Sequence, residues 1–480
     1  MNKVPQDNRE FIEALKKYGD VVHIEQEVDW DLEAGAIVRR VCELNSPAPF
    51  MERIKDYPGF RYLGAPLATY RRLAIALGLE PGLSVRELAQ EYLRRTEGKP
   101  VEPVLIDRSS APCKENILLG KEADLCCLPA PMVHDGDGGR YLGTWHAVVS
   151  RDPETGLVNW GMYRQMVYDA HTLVGAVFPQ SDLGKLFRKL SPRGEPIPFA
   201  TVIGPPPASG VAASAPSPIP EPELTGMLTG EPMELVPCET VPLEVPARSE
   251  VVIEGVILPD VQLEEGPFGE YTGYRTSPRM PRMVFLVQAI TYRDNPILTI
   301  SNMGVPTDEG QLLRSFTLAL ELEKLLRSQG LPVTGVYMPP ESTHHLVIVG
   351  VKPIYNNIAT QIANLAFGAK SGHWYHMAIV VDDTVDIYNM KEVIHALCTR
   401  CHPVRGIRVH PHAVATPLYP FLSPEERRTA RGAQVLFDCT FPLEWDPLND
   451  VPPLVSFRTV YPKEIQEKVL SQWKAYGFPS

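Results

Sequence analysis

Between Gly204 and Glu223 the chain reads GPPPASGVAASAPSPIPEPE. Proline lacks the amide donor, so this stretch predicts a long loop, neither helix nor central strand. A loop of that length inside a compact domain is often functional. Prolines make up 48 of the 480 residues, roughly twice the ordinary share. Many connections should therefore be fixed turns. The loop is flanked by short β-branched runs: TWHAVVSRDPETGLVNWGMYR, FATVIG, SEVVIEGVI, RMVFLVQAITYR and PILTISNMG. The first of these predicts two strands around the turn DPETG. Together they predict a mostly antiparallel, barrel-like β domain over 113–306.

Before it, Phe11, Ile12, Leu15 and Tyr18 recur at helical spacing, and DVVHIEQEVD alternates like a strand. DLEAGAIVRRVCEL predicts a second helix with Asp31 as its N-cap. This is a small α/β unit over 1–112. After the β domain, DEGQLLRSFTLALELEKLLRSQG predicts one long amphipathic helix over 307–330, a natural connector. Alternating strand and helix patterns then predict an α/β domain over 331–460. A final amphipathic helix is predicted over 461–480, packed on its own domain or on a neighbouring subunit. The fold class is α+β.

A net charge of −12 argues against nonspecific nucleic-acid binding and against a basic membrane-surface patch. The N-terminus has no apolar leader, and no uncharged apolar run is long enough for a membrane span. The expectation is a soluble, cytoplasmic enzyme with reduced thiols. CTRCH (Cys398–His402) matches a haem-attachment pattern, but it follows the helical MKEVIHAL and reads as a helix end. His344, His345, His373 and His376 lie at predicted strand ends and read as structural, although they fall in the domain expected to close over the substrate, where they could shape specificity.

Two constellations could carry chemistry. In LEEGPFGEYTGY, Glu265 and Glu270 stand five apart with Gly266, Pro267 and Gly269 between them. A strand would send them to opposite faces. A glycine-rich turn could return both to one pocket, where one carboxyl would be pushed up and serve as a general acid. A surface turn with two solvated charges is the simpler alternative. In NWGMYRQMVYD, Asn159 offers a hard oxygen and Arg164 a carboxylate or phosphate clamp. Asp182 and Glu221 are further oxygen donors, a set suited to Mg²⁺, Mn²⁺ or K⁺ near a phosphate.

At these residues the chain resembles the UbiD-like decarboxylases, which use prenylated FMN. The resemblance covers nearly the whole chain and rests on GGRYLGTWHAVV, NWGMYRQ, IPFATVIGPPPA, ELTGMLTGEP, EGPFGEYTGY, VVDDTVD and ALCTRCHP in that order. It implies a flavin-reductase-like split β-barrel for the cofactor, between an N-terminal α/β unit and a linker helix. The C-terminal α/β domain would mediate dimers or hexamers. It implies that Asn159 and Glu221 hold Mn²⁺, with K⁺ nearby, against the cofactor phosphate. Met162, Tyr163, Arg164 and Ser181 fall among the cofactor contacts. Arg164, Glu265 and Glu270 match a Glu–Arg–Glu network in which Arg164 orients substrate and cofactor, Glu265 pairs with Arg164, and Glu270 donates a proton after CO2 leaves. Two positions depart from the family pattern. Asp182 stands where many members carry a metal-binding His, and Met377 where many carry Lys.

The implied activity is reversible, non-oxidative decarboxylation of an aromatic, heteroaromatic or α,β-unsaturated acid. A flavin prenyltransferase would supply the cofactor, and SNMGVPTDEGQ and HPHAVATPLYP would face the substrate. Two alternatives stay open: a metal-dependent hydrolase using the Glu265/Glu270 pair, and a non-catalytic flavin-binding or assembly protein.

Overall fold

The computed structural model describes residues 3–479. Four sheets organise it. The first runs Val21–Val28, Ala48–Ile54, Arg61–Gly64, Ile297–Ile300 in spatial order. Its last strand was expected in the β domain. It pairs instead in parallel with Arg61–Gly64. The N-terminal unit and the end of the β domain therefore share one sheet.

The second sheet has nine strands, and every pairing in it is antiparallel. Its centre is the long pair Val251–Glu265 and Met280–Tyr292. The DPETG turn joins His146–Arg151 to Val158–Gly161, as the sequence predicts. The path opens at Tyr141–Gly143 on one side and at Val158–Gly161 on the other. A small three-stranded sheet adds Glu244–Pro246, Glu234–Pro237 and Val104–Leu105. The five-stranded C-terminal sheet runs Val333–Tyr337, Leu346–Val351, Met377–Asp382, Arg431–Cys439, Ile407–Val414.

The proline-rich segment is not a loop. It forms a helix at Pro207–Ser214, followed by a second at Glu221–Thr229. Each helix has its prolines in the first turn, where the amide would have no intrahelical acceptor and the fixed φ suits the helix. Small residues then decide the packing: Ala208, Val211 and Ala212 are buried, and a Cβ on Gly210 would come within 2.9 Å of the Trp145 ring. The Asp31 cap is also corrected. The helix Glu33–Leu44 starts at Leu32 with no side-chain cap, and the Asp31 amide donates to Asp29.

Glu309–Ser328 is the predicted connector. Its capping box joins Asp308 and Gln311 through reciprocal 3.0 and 2.9 Å bonds. One face packs Leu312, Leu313, Phe316 and Leu320 into the core shared with the N-terminal unit. The other packs Leu318, Ala319, Leu322 and Leu326 into the C-terminal core. A helix that is buried on two faces holds both domains in register. Leu313 is fully buried, so Leu313→Ala should lower stability by about 2–5 kcal/mol. A urea midpoint unchanged from wild type would contradict this.

CTRCH closes the helix Met390–Arg400, where the His402 Nδ1 accepts from the Val404 amide at 3.1 Å. Among the described residues no helix is long and apolar enough to cross a membrane. The tail forms the helix Lys463–Ser471, with none of its residues buried.

Candidate active site

The strand Val251–Glu265 delivers Glu265 at its last position, and the chain then reverses through Gly266-Pro267-Phe268-Gly269. Gly266 adopts φ +83°, which favours glycine. A Cβ on Gly269 would strike the His134 ring at 2.6 Å. The turn is fastened from outside: Asp137 accepts the Gly269 amide at 3.0 Å and faces His134 Nδ1 at 2.8 Å. The other ring nitrogen of His134 faces Asn302 Oδ1 at 2.7 Å and the Met303 carbonyl at 2.9 Å. With acceptors on both sides, the imidazolium is the form that satisfies every contact.

Burial alone would lower the His134 pKa. Asp137, Asn302 and Met303 outweigh it and hold the pKa above the ordinary value. Its stabilising effect is complete below about pH 6.5 and fades as pH rises through the raised folded value. The melting temperature should fall on that alkaline side, and His134→Gln should flatten that part of the profile. An unchanged profile in the variant would contradict this.

The reversal brings both carboxylates to one cation. Arg164 follows the strand Val158–Gly161, where Gly161 leaves room for the Tyr163 ring. Glu265 accepts from Arg164 Nε at 2.8 Å, from Nη2 at 3.0 Å and from the Tyr141 hydroxyl at 2.8 Å. Glu270 meets Arg164 Nη1. Both carboxylates are buried. Glu265 is thus a bidentate, saturated carboxylate behind the arginine. Among the described residues the Glu270 side chain hydrogen-bonds only Arg164 Nη1, and it lines the cavity. Burial raises the Glu270 pKa against the pull of Arg164, and the neighbouring Glu265 charge adds to the rise. Arg282 adds a second positive charge 3.9 Å from Glu265, so Glu265 is doubly compensated, and Glu270, raised by its burial, is the group placed to carry a proton.

That cavity measures about 260 Å³, a ligand site and far more than one water needs. The barrel, the connector helix and the C-terminal domain all contribute walls. Asn159, Met162, Tyr163, Ser181, Asp182 and Glu221 all face it. Ser181 caps the helix Asp182–Leu190 by accepting from the Gly184 amide at 3.1 Å. Asp182 lies half-exposed between Lys370 at 2.7 Å and Lys185 at 3.1 Å, which outweigh burial and lower its pKa. Glu221 opens its helix and is pushed up to about 7 by burial, with Asp182 nearby adding to the rise.

Glu221 Oε2 and Asn159 Nδ2 are buried without partners. Turning the Asn159 amide would aim its oxygen instead. A hard cation would satisfy both side chains, so these residues fit one. Asp182 could join only by sharing its carboxylate with the two lysines. Among the described residues no group of three or more His, Cys, Asp or Glu is gathered as a metal site. The implied set is one amide and two acids.

Several lining residues escaped the sequence reading. Met377, at the departing position, begins a sheet strand. Lys370 and Trp374 form the C-terminal wall instead. His344 lines the cavity as well, 1% exposed with neither ring nitrogen partnered. The sequence places it only in the domain expected to close over the substrate, because the wall itself forms where two domains meet. Met303, Gly310, Thr416 and Leu418 come from the two segments expected to face the substrate.

Family models match three stretches. They are the N-terminal domain (12–92), the Rift-related domain (104–306) and the C-terminal domain (311–439) of 3-octaprenyl-4-hydroxybenzoate carboxy-lyase. The chain belongs to the UbiD family. It is a UbiD-family carboxy-lyase, 33% identical to the pyrrole-2-carboxylic acid decarboxylase of Pseudomonas aeruginosa over 100% of this chain and 99% of that one. The closed form of Sedimentibacter hydroxybenzoicus vanillic acid decarboxylase matches this UbiD fold with a TM-score of 0.89 at 30% identity, covering 98% of this chain and 100% of that one. An evolved dimeric form of the UbiD-class enzyme HmfF from Pelotomaculum thermopropionicum, solved in complex with prFMN, matches with a TM-score of 0.79 at 28% identity, covering 93% and 97%. The mixed α+β fold is that of the UbiD class.

Proposed function

We propose that the protein catalyses reversible, non-oxidative decarboxylation of an aromatic, heteroaromatic or α,β-unsaturated carboxylic acid, with prenylated FMN in the cavity and Glu270 as proton donor. The observation that carries this reading is the Arg164–Glu265–Glu270 network. Glu265 is spent on Arg164, and Glu270 faces the cavity with a raised pKa. The decarboxylase and flavin-bound relatives support it. A hydrolase using both glutamates fits less well, because Glu265 is fully buried behind Arg164 and does not line the cavity.

Loss of CO2 from an sp² carbon leaves an electron pair that no side chain can accept. The bound prenylated flavin supplies that electron sink. The chain's own residues do the rest. Asn159 and Glu221 would hold Mn²⁺, with Asp182 and K⁺ alongside, and Met162, Tyr163 and Ser181 would line the cofactor's bed. Arg164, fixed by Glu265, orients Glu270 and the substrate. Aromatic walls exclude water and favour departure of a neutral CO2 from a charged carboxylate. Glu270 then gives its proton to the carbon that CO2 left, and recovers one from solvent.

A flavin prenyltransferase would provide the cofactor. A homodimer or homohexamer is expected, with the tail helix packed on a second copy. Exposed Leu470 on that helix, with Trp473 and Phe478 just after it, supports that packing. Removing 461–480 should lower the assembly mass measured by light scattering. An unchanged mass would refute the exchange.

A further inference from the structure

Arg314 projects from the connector helix into the cavity. It has no ion pair or hydrogen bond to any described residue. Its guanidinium stacks over the Trp374 ring, 4.3 Å from the ring centroid. Stacking compensates part of the charge but satisfies none of the five N–H donors. The other cations of the cavity are taken: Arg164 by two glutamates, and Lys370 by Asp182. A guanidinium left in an enclosed site without an acid is a site built for an anion that arrives from outside. Beside it, the two unpartnered nitrogens of His344 offer a neutral donor and acceptor. Burial and the nearby positive charges keep that ring neutral.

The anion could be the carboxylate that leaves. That assignment fails on energetics. An ion pair to the leaving group is strongest in the ground state and vanishes as CO2 becomes neutral, so it would slow the reaction. A group that keeps its charge throughout carries no such penalty.

We infer that Arg314, stacked on Trp374 and flanked by His344, binds a second, non-reacting anionic group of the substrate, making the preferred substrate a planar diacid. This inference rests on the decarboxylase reading and deepens it. It assigns Arg314 to substrate choice and leaves the proton transfer to Glu270.

The test compares matched acids on the holoenzyme: pyrrole-2,5-dicarboxylate against pyrrole-2-carboxylate, and 4-carboxycinnamate against cinnamate. In the wild type, kcat/KM should favour a diacid over its monoacid partner. In Arg314→Gln that ratio should fall about 30-fold or more, mostly through KM, as expected when one partner of an enclosed charge pair is removed. Arg314→Lys should recover part of it. Equal ratios in wild type and variant would overturn the inference while leaving the decarboxylase reading intact. Loss of bound flavin from Arg314→Gln would overturn it too, by assigning the arginine to the cofactor's phosphate. If no acid of either kind is turned over, the decarboxylase reading itself has failed. Titration of the diacids against both proteins then decides the anion site by binding alone. Tighter binding of a diacid to the wild type upholds it, and equal affinity overturns it.

Discussion

Glu270→Gln is expected to lose turnover by about 10²–10⁴-fold, the range a positioned general acid supplies, while still holding flavin. The amide keeps the shape and can still meet Arg164, so the fold and the cofactor bed should survive. It has no proton to give to the carbon that CO2 leaves. Burial raises the Glu270 pKa, so the acid form persists above the usual carboxylate range. Activity should therefore hold through mildly acidic pH and fall as pH rises through that raised value. Full turnover in the variant, with flavin bound, would remove Glu270 from the acid role.

Arg164→Ala should be worse for the whole molecule. It leaves Glu270 buried without its ion-pair partner, and Glu265 with only the longer 3.9 Å approach of Arg282. Breaking a buried pair by removing one partner costs about 3–5 kcal/mol. Part of that can be escaped by protonating Glu270, whose pKa burial already raises, so the loss of stability should be largest at alkaline pH, where Glu270 must ionise. Turnover should be abolished. Arg164→Lys keeps a charge but cannot reproduce the two-pronged contact with Glu265. It should fold better than the alanine variant and still lose most activity. Equal stability of Arg164→Ala and wild type across the pH range would contradict the network's role.

How much of this was legible in the sequence follows from what each signal depends on. Period and turn chemistry are local, so the DPETG hairpin, the connector helix and the C-terminal alternation could be read directly. The segment from Gly204 to Glu223 predicts a loop by its proline count, whereas the positions of its prolines suit two helix starts. At the first turn of a helix proline's missing amide costs nothing. Ile297–Ile300 looked like one more strand of the β domain, since nothing local says which sheet a β-branched run will join.

The site divides along the same line. The glycines around Glu265 and Glu270 announced a turn, and the structure closes it on Arg164. It did not announce that Glu265 would sit behind the arginine, because depth depends on Tyr141 and the strand that carries it. Lys370 and Arg314 carry no site signal in the sequence. Each reaches the cavity only because the connector helix seats the C-terminal domain against the barrel.

The most direct measurement is the absorbance spectrum and the mass of the released cofactor, taken on protein co-produced with a flavin prenyltransferase, beside an Asn159→Ala control. Prenylated FMN in the native protein and its loss from the control are the predicted result. A native protein that carries no flavin under those conditions would contradict the proposed chemistry at its root.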